Sequence, residues 1–264
     1  DLHKAIRRQR QMCIRDRSLL GLSDINVDDY DIISITNADE HEYLDKYLDA
    51  SIIGTRALSS VLVVGKEAGN GIHVTTKNIS YCTEGMYRNA LLTAGIEDAD
   101  ITVAGPFSIS GTAALVGAIK AYETMTGEEI DDENLDAAND ELVLTGKLVE
   151  DIGDSEKAED LMALVKQEVA ENKLTSAEDI QNVVDQACDQ LDIQLSEENQ
   201  KQIAELMKKI EGLDLDVDKL KDQAKDLYQK LEDLDFHVDK ESVGNFFTRI
   251  IDAIVNFFQG LFGK

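Results

Sequence analysis

The sequence predicts an α+β protein: an N-terminal βαββαβ (ferredoxin-like) sheet-and-helix domain, then an all-α helical region. Two observations carry this. From about Asp28 to Thr126, short β-branched runs alternate with segments of helical period. From Asp131 onward the period is helical almost throughout. A third observation sets the scale: 264 residues at 43% hydrophobic can bury one good core or two smaller ones.

Tyr30–Ile35 carries β-branched residues and reads as the first strand. Asn37 reads as an N-cap, with Glu40 at the N3 position of a capping box, for a helix over 38–49. Leu58–Val64 is the second strand. Gly69-Asn70-Gly71 is a strong turn signal before a third strand at Ile72–Ile79. A helix over 84–94 stops at Gly95, a good C′ glycine. Ala99–Ala104 is the fourth strand, and Thr112–Met125 the third helix. The first six elements match the split βαβ plan, with both helices on one face of a four-stranded sheet.

Downstream, Ser176 caps a helix with apolar residues at 180, 183, 184, 187, 188 and 191. Ser196 caps another carrying Ile203, Leu206, Met207 and Ile210. Apolar positions 217, 220, 224, 227, 231 and 234 follow heptad spacing over about two and a half heptads, which favours a packed hairpin or bundle over an intermolecular coil. Residues 19–130 are thus expected to form the α/β domain, 131–241 the helical region, and 242–264 an amphipathic C-terminal helix.

Residues 1–18 are read as foreign to the protein. Met12-Cys13-Ile14-Arg15-Asp16-Arg17 is the translation of ATG-TGT-ATA-AGA-GAC-AG plus one base, the end of a transposase adapter used in sequencing libraries. The same segment holds Lys4, Arg7, Arg8, Arg10, Arg15 and Arg17, six of the 26 basic residues. A native basic arm is the alternative reading.

The formal charge is −27, from 53 acidic and 26 basic residues. A chain this acidic repels phosphate backbones, which argues against nucleic-acid partners. No apolar run reaches the roughly 18 residues of a membrane-spanning helix. Four histidines and three cysteines show no pair at metal-ligand spacing, so no metal and no cofactor is expected. Cys188 shares an apolar stripe with Ile180, Val183, Val184 and Leu191 and reads as a buried thiol, with a Cys82–Cys188 disulfide left open. Asp214, Asp216 and Asp218 alternate like a calcium loop, but Lys219 and Lys225 stand where glycine and glutamate are required.

One loop has a chemical look. Pro106-Phe107-Ser108-Ile109-Ser110-Gly111-Thr112 feeds a helix N-terminus, where free backbone N–H groups and the helix dipole can hold a carboxylate or phosphate. Ser110, Gly111 and Thr112 are the candidate ligand-binding residues, and Ser108, Ser110 and Thr112 the candidate nucleophiles. The structural alternative is that Ser110 or Thr112 simply caps the helix. A nucleophile requires a base, and His41 and His73 are the histidines available in this half.

The C-terminal segment concentrates five of the seven phenylalanines. Phe246, Phe247, Ile250, Ile254, Phe258 and Phe262 lie on one wide apolar face opposite Asn245, Arg249, Asp252 and Asn256. That face is expected to meet the protein's own core, a partner or second copy, or a membrane surface.

The stretch Tyr87, Asn89-Ala90-Leu91, Thr93-Ala94-Gly95-Ile96, Pro106-Phe107, Ser110-Gly111-Thr112-Ala113-Ala114-Leu115 and Lys120-Ala121-Tyr122-Glu123 carries a family pattern. Thr36-Asn37, Glu40, Tyr43-Leu44, Gly71-Ile72 and Val74 extend it. The pattern resembles domain of unknown function 1002, a family of secreted proteins of Gram-positive bacteria. The resemblance spans Ile32 to Leu234 and brings no activity with it. It implies an extracellular or cell-envelope location. The leading reading of the chain as a whole is a binding or assembly role with a protein or envelope component. A hydrolase or small-anion-binding enzyme using Ser108–Thr112 is the alternative.

Overall fold

Three strands and eight helices order the chain between Asn37 and Glu211. The computed structural model describes residues 17–23, 26, 30–213 and 215–220. Helix α1 spans Asn37–Leu44, α2 Ala50–Ile53, β1 Ser60–Gly65, β2 Ile72–Ile79, α3 Glu84–Thr93 and β3 Ala99–Ile109. Helices α4 (Thr112–Thr126), α5 (Asp132–Ile152), α6 (Ser155–Asn172), α7 (Ala177–Gln190) and α8 (Glu197–Glu211) follow. The α+β class expected from the sequence is the class observed.

The sheet departs from the ferredoxin-like expectation. Its strand order is β1-β3-β2, with β1 antiparallel and β2 parallel to β3. The Gly69-Asn70-Gly71 turn therefore closes no β1–β2 hairpin, because β3 lies between the two strands. That turn is instead held by Asp98, whose carboxylate accepts the Gly69 and Gly71 N–H groups at 3.0 and 2.7 Å. Tyr30–Ile35, the expected first strand, is irregular. Ile32 there is 72% exposed, and strand propensity is expressed only where a partner edge and a packing surface exist.

Strand β3 is the spine. Ala99, Ile101 and Val103 alternate into the core, against Val61 and Val63 of β1 and Val74 of β2. Pro106 falls beyond Ala104, the last residue paired with β1, so its missing N–H removes no β1–β3 bond. The β2–β3 register shifts between Lys77 and Ile79, where Asn78 adopts φ +59° and its amide donates to the Gly105 carbonyl at 2.9 Å.

Helices α3 and α4 cover one face of this sheet through Leu91, Leu115, Ala118 and Ile119, and α5 joins the same core through Leu135, Ala138 and Leu142. Helix α3 also packs along α5, and α5 to α8 pack against one another beyond it. The predicted stripes are the buried ones: Ile180, Val184, Ala187 and Cys188 on α7, and Ile203, Leu206, Met207 and Ile210 on α8. Ser176 and Ser196 accept the Asp179 and Asn199 N–H groups, as their capping roles require. Cys82 and Cys188 are both free and buried, and burial pushes each thiol up to about 12. No helix among the described residues is long and apolar enough to cross a membrane.

Candidate functional site

The predicted loop leads into the N-terminus of α4, and the structure shows how that terminus is closed. Gly111 occupies the N-cap with φ +91° and offers no side-chain cap. Both the conformation and the space demand glycine: a Cβ would lie 2.5 Å from the Tyr87 hydroxyl and 2.6 Å from Ile79. Tyr87 is fully buried and donates its hydroxyl to the Gly111 carbonyl at 2.6 Å. The Cys82 N–H donates to the Ser110 carbonyl at 3.0 Å, and the Ser80 N–H to the Ile109 carbonyl at 2.8 Å. The turn is thus tied to the end of β2 and to α3.

The cap comes from α1. Thr36, one residue ahead of the predicted position, is the N-cap of α1, and Asp39 completes the capping box. Glu40 is therefore not needed for the capping box. It turns inward, 1% exposed, and accepts the Thr112 hydroxyl at 2.5 Å and the Asn37 amide at 3.3 Å. A carboxylate from one helix so neutralises the positive end of another. Burial pushes the Glu40 carboxyl above its ordinary value, while the Thr112 and Asn37 bonds pull it back down.

The candidate residues therefore separate. Thr112 is 1% exposed and committed to Glu40; Ser110 stands 3.3 Å from the Thr112 hydroxyl. Ser108 is exposed beside Phe107, which is 53% exposed. The histidines are engaged elsewhere. His41 bonds Asp45 at 2.5 Å and the Gly54 carbonyl at 3.3 Å, and His73 faces Asn70 and Asp100. Among the described residues, no group of three or more His, Cys, Asp or Glu is placed to hold a metal ion. Phe246, Phe247, Ile250, Ile254, Phe258 and Phe262 lie outside the described residues, as do residues 1–16.

A second feature escaped the sequence reading. A cleft of about 580 Å³ opens beside α1 and the start of α5. Glu42, Asp132, Glu133 and Asp136 line it against a single lysine, Lys46, with Tyr43, Tyr47 and Leu135 supplying apolar surface. Asn139, 3% exposed, completes the lining; its amide donates to the Tyr43 carbonyl at 3.4 Å. Nothing local marks these residues, because the cleft exists only once two helices about ninety residues apart are packed together.

A buried ion pair was missed as well. Lys166 and Glu141 have fully buried side chains 2.9 Å apart. Lys166 also donates to Thr93 at 3.1 Å and to the Asn89 carbonyl at 2.9 Å, and Thr93 donates to Glu141 at 2.5 Å. Every polar group of this knot on α3, α5 and α6 has a partner, which marks it as architecture. A lysine directly after the apolar run Leu161–Val165 was the available signal.

With this geometry in view, the comparisons with known proteins are specific. Residues 9–227 match the family described as protein of unknown function (DUF1002), and the chain belongs to that family. The chain is also similar to the uncharacterized protein YpuA of Bacillus subtilis (strain 168). The two are 40% identical over 244 residues, which cover 90% of this chain and 84% of that protein. No solved structure matches the chain.

Proposed function

We propose that the chain is an exported or cell-envelope binding module, and that the Ser108–Thr112 loop serves its architecture. The observation that carries the architectural reading of the loop is the Glu40–Thr112 bond at 2.5 Å. The site that could have taken an anionic ligand or an acyl group already holds the chain's own carboxylate, deep in the core. A nucleophilic Thr112 would need a base that could shed a proton to solvent, and Glu40 is sealed from it. Family membership supports the export half of the reading, since the resemblance is to secreted proteins.

The test has two arms. The full natural gene, tagged and expressed in its own organism, should yield a protein degraded when intact cells are treated with an external protease. Protection equal to that of a cytosolic marker would overturn the location. In the second arm, purified chain and its Ser110→Ala and Thr112→Val variants are assayed against simple aryl esters and phosphate esters. The reading expects no turnover above buffer in any of them. Turnover that vanishes in either variant while the fold is retained would establish the hydrolase alternative.

A further inference from the structure

We infer that Tyr30–Ile35 is a strap that closes on the outer edge of β1 as a fourth, antiparallel strand, with Ile33 opposite Val63. The edge comes first. The Lys66 N–H donates to the Asp98 carbonyl at 3.0 Å, and in the same register Val64 faces Asp100, Leu62 faces Thr102 and Ser60 faces Ala104. Antiparallel pairs alternate between hydrogen-bonded and non-hydrogen-bonded, so the even-numbered residues of β1 turn their main-chain groups toward β3. Val61, Val63 and Gly65 therefore each turn one N–H and one C=O away from it. Among the described residues none of these groups has a hydrogen-bond partner. The opposite edge of the sheet is already closed: the Thr76 N–H donates to the Glu84 carboxylate at 2.8 Å, and β2 shifts register between Lys77 and Ile79. Ser60–Gly65 has no charge, proline or register shift to guard it.

The strap is already held at one end of that edge. Ile35 and Val61 meet over Gly117 of α4, where an added Cβ would lie 3.7 Å from Ile35 and 2.9 Å from Val61. Thr36, next in the chain, has φ −94° and ψ 163°, so the backbone approaches α1 in an extended conformation. With Ile35 opposite Val61, an antiparallel register puts Ile33 opposite Val63 and Asp31 opposite Gly65. Those are the β1 residues with open groups, so the three pairs use every one of them. The side chains agree with this register. Ile33 and Ile35 fall on the face of Val61 and Val63, which pack on the core, and Ile32 falls on the other face beside Val64. Tyr30, Ile32, Ile33 and Val64 are four of the six large apolar side chains left exposed among the described residues, and closure covers strap and edge with each other. The entropy of ordering the strap opposes these gains, which makes it a two-state element. Closed, the strap withdraws the unguarded edge of the sheet from pairing with another chain.

The experiment uses the full chain with Cys13→Ser, Ile32→Cys and Val64→Cys; Cys82 and Cys188 are buried. Residues directly opposite in a non-hydrogen-bonded antiparallel pair lie about 4.5 Å apart at Cα, a separation a disulfide spans. Mild oxidation should join the two new cysteines within one chain, read as the loss of two hydrogens from the intact mass of the monomer. Ile32→Cys/Thr75→Cys is the control. It aims at the far strand β2 on the same face, beyond disulfide reach in the closed form, and should crosslink at least about tenfold more slowly. Amide hydrogen exchange on the chain without added cysteines gives a second readout. The Val63 and Gly65 N–H groups should exchange at least about tenfold more slowly than in Ile33→Pro, which has no N–H to donate to Val63. Ile33 is 38% exposed and lies in irregular backbone, so this substitution leaves the core intact.

Crosslinking within the chain, together with the slowed exchange, supports the strap. A crosslink found between two chains would show the edge taken by a second copy and would overturn closure within the chain. Crosslinking no faster than in the control would overturn it too. So would equal exchange of the Val63 and Gly65 amides in the unsubstituted chain and in Ile33→Pro.

Discussion

Replacing Glu40 by alanine removes the acceptor of two donors, the buried Thr112 hydroxyl and the half-buried Asn37 amide. Each buried donor left unpaired costs about 1–3 kcal/mol. The loss is partly offset because a buried carboxylate no longer has to be desolvated. We expect a net destabilisation of about 3 kcal/mol, a large share of the roughly 5–15 kcal/mol that holds a domain together. Glu40→Gln keeps the shape and one acceptor but brings its amide toward the Asn37 amide, so about 1 kcal/mol should be lost. Urea unfolding followed by far-UV circular dichroism gives both values from the midpoint at constant slope. A double-mutant cycle with Thr112→Val should show a coupling of about 1 kcal/mol or more. The carboxyl is raised in the folded state, so its stabilising contribution is full below the ordinary carboxylate range. It is lost as pH rises through the raised value, and Glu40→Gln should flatten that slope. Additivity of Glu40→Ala and Thr112→Val within about 0.5 kcal/mol would refute the cap between helices.

Lys166→Met should cost about 3–5 kcal/mol in urea unfolding by stranding Glu141, and Lys166→Met/Glu141→Leu should recover most of it. Gly146→Ala, which in an open helix would stabilise by up to about 1 kcal/mol, should instead lower the melting temperature, because the new methyl meets the Tyr81 phenol. Glu168 is 4% exposed, and burial together with the Glu171 charge pushes its carboxyl up to about 8. Its stability contribution is therefore present below the ordinary carboxylate value and lost as pH rises toward 8. Glu168→Gln should remove that loss, which melting curves at about pH 5 and about pH 9 would reveal.

The helices were legible because their information is local. Ser176 and Ser196 sit where a cap must sit, and the stripes behind them repeat at helical period whatever else the chain does. The first cap shows where local reading ends. Thr36 with Asp39, and Asn37 with Glu40, both satisfy the capping-box spacing in Thr36-Asn37-Ala38-Asp39-Glu40. The choice is made by α4, whose N-terminus takes Glu40 from 72 residues away. Strand order failed for the same reason: nothing in Ser60–Gly65 or Ile72–Ile79 says that β3 will come between them. Tyr30–Ile35 has strand composition but pairs with neither outer strand of the sheet, and Ile32 finds no surface to pack on. The cleft lining was invisible because helix packing creates it, and the Lys166–Glu141 knot showed in the sequence only as a lysine at the end of an apolar run, with no sign of its partner.

The position of β3 also orders events in time. Neither β1 nor β2 has another strand partner in the described sheet, so no sheet can exist until Ala99–Ile109 has been made. Each parallel pair from Ile72–Ala99 to Lys77–Ala104 joins residues 27 apart, and the antiparallel pairs with β1 reach from 34 to 44 apart. Such closures are slow compared with helix formation, and a chain stopped short of residue 99 presents two apolar strands with no mate. A nascent chain of this protein thus has no sheet until Ala99–Ile109 has been made. The strand that both neighbours await is the one that makes the sheet possible.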